Sequence, residues 1–240
     1  MIGVWFNGAL MLVGGLVGRW SRWEYTADVE HRLRPWLGLF ALYAAASACW
    51  AGVADAGLGG AVWRVVLLFV GLTIGRALGA WLGVQRLWSR MGRFANDVLQ
   101  HASPEKRANW NTAFQAVTIV GCLSPLALAG PVLAGAMNDV KPLALKAVLD
   151  GLAMVSFARH LGWGSLPGAL PVVVLQGTLF VLTRWAALAG AGGEIMAGLA
   201  LVSGYLVLAA ALAVFGVHRV RTADYYPAFL IVPLLFWGLG

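Results

Sequence analysis

The sequence predicts an all-α polytopic transmembrane bundle of about eight helices, a single integral membrane unit over residues 1–240. Three observations carry that prediction. Hydrophobic residues make up 60% of the chain and charged residues 11%, where soluble domains carry about 25% charged residues. Apolar stretches of spanning length recur along the whole chain, with a mean hydropathy of +0.79. The arginines gather in three short loops, as the positive-inside rule requires. The net charge of +7 is therefore a mark of topology and gives no reason to expect a nucleic-acid partner.

The first helix is expected over residues 2–18. It carries Asn7-Gly8 and a small-residue spacing at Gly14 and Gly18. No basic n-region or small-residue cleavage site marks it as a signal peptide, so it reads as a retained span. A basic loop follows with Arg19, Arg22, Arg32 and Arg34, flanked by Trp20, Trp23 and Trp36 as in an interfacial aromatic belt. Helix 2 is expected over 35–52, with Pro35 at its first position. Helix 3 is expected over 62–84, where Gly71, Gly75, Gly79 and Gly83 recur every fourth residue. Four bare positions on one face let another helix approach the backbone. That helix belongs either to this bundle or to a second copy of the chain in a homo-oligomer. Arg76, beside the seam, either snorkels to the interface or pairs with a buried acid such as Asp150.

Residues 85–113 form a cytoplasmic loop in this reading. Over 85–101, Leu87, Trp88, Met91, Phe94, Ala95 and Val98 share one side of a helix, and Arg86, Arg90 and Arg93 another. That is the pattern of a helix lying in the headgroup plane, as a passive anchor or a sensor of anionic lipid. Ser103-Pro104-Glu105 predicts a new helix start. Helix 4, over 114–137, is broken at Ser124-Pro125 and again strained at Pro131, because proline removes a donor and disfavours helix before it. Helix 5 covers 143–160, helix 6 covers 167–184 with Gln176-Gly177 near its centre, and helix 7 covers 195–216. After His218, Arg219 and Arg221 comes a short helix 8 over 226–239. An external N-terminus places loops 1, 3 and 7, the arginine-rich ones, in the cytoplasm.

The stretch Gly121 to Gly130 followed by Lys146 to Gly151 is the best candidate site. An acid at the centre of a membrane helix costs about 2.5–3.5 kcal/mol on insertion scales, and such residues face a protein interior or a water-filled path. Lys146 and Asp150 are one turn apart and can pair. Lysine before acid is the poorer order for helix support, so helix stability alone explains them weakly. Asp150 is the group expected to bind an ion or proton, beside Gly121, Ser124, Pro125 and Gly151. The structural alternative is a neutralised pair that keeps both charges out of lipid.

These same residues resemble the YdfK/YqgA-type family of bacterial inner-membrane proteins, a domain of unknown function. Its features are a proline-containing break, a Lys…Leu-Asp-Gly helix and a Gln-Gly helix. They match Gly121 to Gly130, Lys146 to Gly151 and Gln176-Gly177, with Asn7-Gly8 and Gly14-Gly15 also fitting. Ser124-Pro125 stands where the family pattern has Gly-Pro. The resemblance implies an inner-membrane location and the fold, and names no substrate. Residues 149–156 are also similar to the acidic helix of small manganese exporters, which makes a cation worth testing.

Residues 4–10 resemble residues 173–179, and residues 38–42 resemble residues 204–208. Helices 1–3 are thus expected to repeat as helices 6–8 in inverted orientation around helices 4 and 5, as in many transporters. Asn7 and Gln176 become symmetry mates that either line one polar pocket or act as separate interhelical hydrogen bonds. Cys49 and Cys122 read as small packing residues. No metal-ligand spacing, phosphate loop or nucleophile motif is present. Ser156 and His160 are the one Ser/His pair at helical spacing and lack an orienting acid, so an enzyme is not expected, and no cofactor or metal is implied. The function expected is a secondary transporter or channel for an ion or small polar solute. The alternative is a structural or regulatory membrane protein acting through helix–helix contacts. The partners expected are the lipid bilayer and the solute.

Overall fold

A computed structural model describes residues 1–21, 27–101, 109–190, 192–217 and 221–239. Arg22, Trp23, Ser103, Pro104, Glu105, His218 and Arg219 lie outside the described residues. The described chain is helical throughout, in the order α1 (Ile2–Trp20), α2 (Ala27–Ala51), α3 (Leu58–Trp81), α4 (Val84–His101), α5 (Trp110–Leu123), α6 (Pro125–Ala136), α7 (Lys141–Leu161), α8 (Ala169–Leu188), α9 (Gly193–Phe215) and α10 (Ala228–Leu239). Short 3-10 turns, Gly162–Gly168 and Thr222–Tyr225, precede α8 and α10. Among the described residues, five helical runs are long and apolar enough to cross a membrane, and the bent pair α5–α6 passes the same measure when the two are taken together. One of the five, Lys141–Leu188, contains both α7 and α8.

Contacts between helix backbones set their directions. Added Cβ atoms at Gly14 and Gly18 would lie 2.1 Å from the carbonyl oxygens of Gly151 and Val155, so α1 and α7 run parallel at very close range. Gly8 meets Val173 and Gly15 meets Leu166, so α8 is antiparallel to both. Gly38 meets Phe215 and Gly52 meets Leu201, which makes α2 and α9 antiparallel. Their interface is built from Ala41, Ala44, Ala45 and Ala48 against Ala200, Leu206, Val207, Ala210 and Ala211. With hydrocarbon outside as apolar as leucine, such small residues allow the dense contact that holds membrane helices together.

The seam on α3 is filled within the chain. Gly71 faces Val232, Gly75 faces Ala228 and Gly79 faces the Asp224 carbonyl, and Trp63 Nε1 donates to Leu239 O at 2.9 Å. The Thr222–Leu239 run therefore covers α3 along most of its length. Gly83 is not on the seam. It lies beyond the end of α3 with φ +68, where the left-handed backbone turns the chain into α4.

The start of α2 departs from the expectation. Pro35 does not begin α2. The helix starts at Ala27 and the proline lies inside it. A Glu30–Arg34 ion pair of 2.8 Å, four residues apart, supports the turns before it in the favourable acid-first order. Helix 4 is broken where expected, at Ser124, into two helices bent by 57°. Ser124 Oγ caps α6 by accepting from Ala127 N at 3.2 Å, and Pro125 follows at its first turn. Trp110 of α5 packs on Gly164, just past the end of α7, while Gly135 of α6 packs on Thr183 near the far end of α8. The broken pair thus travels the full length of the bundle.

Candidate functional site

Four polar side chains from three helices converge where α1, α7 and α8 meet. Asn7 and Gln176 are fully buried, and Lys146 is 1% exposed. Asp150 is partly buried. Lys146 Nζ donates to Asp150 Oδ2 at 2.6 Å. Asn7 Nδ2 donates to the same carboxylate oxygen at 3.2 Å and to Gln176 Oε1 at 2.9 Å. The amide orientations follow from the acid. A carboxylate oxygen accepts, so Asn7 turns its NH2 toward Asp150, and Gln176 must then present its oxygen. This leaves Asn7 Oδ1 and Gln176 Nε2 buried with no partner. An unmatched buried polar group costs about 1–3 kcal/mol, and the cluster holds one such acceptor, Asn7 Oδ1, and one such donor, Gln176 Nε2.

The backbone explains how the four meet. Gly14 lies against Gly151, the residue after Asp150, and its missing side chain allows α1 to close on α7. Gly8 similarly admits Val173 of α8. Gly121 packs on Val172 of α8, and Cys122 beside it is within electrostatic reach of Lys146 and Asp150. Ser124 and Pro125 form the break and make no contact with the cluster among the described hydrogen bonds. The carbonyl of Leu123, freed by that break, accepts from Trp88 Nε1 at 3.0 Å and from Tyr226 Oη at 3.1 Å. Those donors come from α4 and from the start of the α10 segment. Arg76 is exposed on α3 and does not pair with Asp150, whose partners are Lys146 and Asn7.

Sequence reasoning missed a second charged centre. Arg64 of α3 is buried and contacts Asp55 in the α2–α3 turn, the Gly52 carbonyl at 3.1 Å and Glu194 Oε1 at 2.5 Å. Its guanidinium, hydrogen-bonded to Asp55, holds that carboxyl below its ordinary value. The signal available was an arginine near the start of an apolar helix, which demands acids close by. Ser47, Asp139 and Lys141 cluster at the same end.

Long apolar helices and small-residue crossings, with a polar cluster buried among them, define an integral membrane helix bundle. The chain belongs to the family described as Protein of unknown function (DUF554), whose model matches residues 2–237. It is similar to the Uncharacterized membrane protein YdfK of Bacillus subtilis (strain 168), at 21% identity over 99% of this chain and 96% of the relative. No solved structure matches it.

Proposed function

We propose that this membrane protein is a small secondary transporter or channel for an ion or small polar solute, with Asp150 as the ion-binding group. The observation that carries the reading is the convergence of Asn7, Lys146, Asp150 and Gln176 inside an apolar bundle. Lys146 supplies a tethered counter-charge to Asp150 while no cation is held. An entering cation competes with that ammonium for the carboxylate, and Asn7 Oδ1 and Gln176 Nε2 supply an acceptor and a donor for a hydrogen-bonding solute.

Two further features support it. Gly38 meets Phe215 while Gly204 meets Cys49, and Gly8 meets Val173 while Gly177 meets Val4. In each pair the second contact is the first with its two halves exchanged, by a shift of 166 residues for Gly38 to Gly204 and 169 residues for Gly8 to Gly177. Asn7 and Gln176, bonded to one another, fall where the exchanged halves meet. An inverted repeat produces this pattern, and inverted-repeat transporters hold substrate near the bilayer midplane at the repeat interface. Arg19, Arg34, Arg86, Arg90 and Arg93 also collect at one end of the bundle. That end is assigned to the cytoplasm by the positive-inside rule, with the N-terminus outside the inner membrane.

The test is flux into liposomes carrying purified protein, across a panel of monovalent and divalent cations and small polar solutes. The Asp150→Asn variant should fold and lose flux. Equal flux in both refutes the assignment. A structural role draws on one observation, that Asp150 is already matched by Lys146 and Asn7. It predicts no flux of any solute and an Asp150→Asn protein that assembles normally.

A further inference from the structure

The α4 helix presents Arg86, Arg90 and Arg93 at spacings of four and three residues, on one face. They line a cavity of about 450 Å³ together with Gln85, Ser89 and Arg221, the last from the segment before α10. Arg221 pairs with Asp224 at 3.3 Å. No carboxylate is within ion-pair distance of Arg86, Arg90 or Arg93 among the described residues. Three guanidinium forks thus line one space with no ion-paired acid among the described residues.

The walls of this cavity are fixed to one another. Gln85 N donates to Asp224 Oδ1 at 3.3 Å, Ala223 N donates to Gln85 Oε1 at 3.3 Å, and Gln85 Nε2 donates to Ser89 Oγ at 3.4 Å. The helix depth is fixed as well. Trp88 packs on Tyr226 with ring centroids 5.1 Å apart and donates to the Leu123 carbonyl, while Leu87 and Phe94 are exposed apolar side chains. An amphipathic helix with such a division lies at the boundary of headgroups and acyl chains. The arginines then stand at the level of lipid phosphates, and the guanidinium fork matches phosphate oxygens in two-point contact.

We propose that this arginine cavity is a binding site for the phosphodiester headgroup of an anionic membrane lipid. Because Trp88 is within a turn of Arg86 and Arg90 and holds the carbonyl at the α5–α6 break, an occupied headgroup site also steadies that break.

The experiment is thermal unfolding of the purified full chain in mild neutral detergent, titrated with phosphatidylglycerol, with phosphatidylcholine and with inorganic phosphate. Phosphatidylglycerol should raise Tm at concentrations where the other two do not. The Arg90→Gln/Arg93→Gln variant should need about 25-fold more of it, from about fivefold for each arginine near a membrane surface. Arg90→Lys/Arg93→Lys, which keeps the charge and loses the fork, should fall between. If the double glutamine variant fails to fold, Arg93→Gln alone should show the single fivefold loss. Equal stabilisation by phosphatidylcholine, or an unchanged phosphatidylglycerol response in every arginine variant, overturns the site. A full response to inorganic phosphate overturns the lipid as its occupant.

Discussion

Replacing Gly14 by alanine should separate α1 from α7 and disassemble the polar cluster. The added Cβ would lie 2.1 Å from the Gly151 carbonyl oxygen, where ordinary contact begins at 3.4 Å. About 1.3 Å must be recovered, and the obstruction is helix backbone with no rotamer to move. If α1 moves back by that amount, the 3.2 Å Asn7–Asp150 hydrogen bond is stretched beyond bonding range. Overpacking of this kind costs about 1–3 kcal/mol or more, against a gain of up to about 1 kcal/mol from the better helix propensity of alanine. Gly18→Ala, facing the Val155 carbonyl at the same 2.1 Å, should behave alike. Gly92→Ala is the control, because nothing lies within 4 Å of its added Cβ, and it should be neutral or stabilising. Thermal unfolding in detergent reads all three. The reasoning is refuted if Gly14→Ala and Gly18→Ala unfold at the same temperature as Gly92→Ala.

Lys146→Met leaves Asp150 without its counter-ion and should destabilise by about 3–5 kcal/mol, whereas Lys146→Met/Asp150→Leu should recover most of that loss. Denaturation of wild type and both variants side by side checks this, and a double variant as unstable as Lys146→Met would contradict it. Asp55 is held below its ordinary carboxylate value by the Arg64 hydrogen bond. Its stabilising contribution is therefore complete above the unfolded-state value of about 3.9 and lost as pH falls through the lower folded-state value. Tm of Asp55→Asn should accordingly be less sensitive to acid below about pH 4 than wild type, and identical pH profiles would count against the clamp.

The parts of the site carried by local chemistry were legible in the sequence. Lys146 and Asp150 are one turn apart, and any helix through them brings the two together. The Asn7–Gln176 contact was accessible only through the likeness of residues 4–10 to 173–179, because nothing local reports which helices touch. The α3 glycines announced a close neighbour without naming it, and α10 fills the place. Pro35 misled about the start of α2 because proline favours a first helical position, whereas here it lies inside the helix and leaves the His31 carbonyl, four residues earlier, without its helical donor. The Arg64 centre was missed because its partners lie 9 and 130 residues away, and the second separation has no periodic signature. The Leu123 carbonyl at the Ser124-Pro125 break is taken up by Trp88 and Tyr226, aromatic residues that sequence patterning treats only as interface markers.

The Arg64 centre also has a meaning for how the chain is made. Asp55 precedes Arg64 by nine residues and leaves the ribosome with it, in one hairpin of α2 and α3. Glu194 follows 130 residues later, about 6–26 s at ordinary synthesis rates. During that interval Asp55 is the acid at hand for an arginine that would otherwise face the bilayer alone. When α9 arrives, Glu194 completes the coordination and fastens the late half of the protein to the early one. Asp55 thus serves first as an escort for Arg64 during insertion, and with Glu194 the group becomes a clasp that closes only after most of the chain has been synthesised.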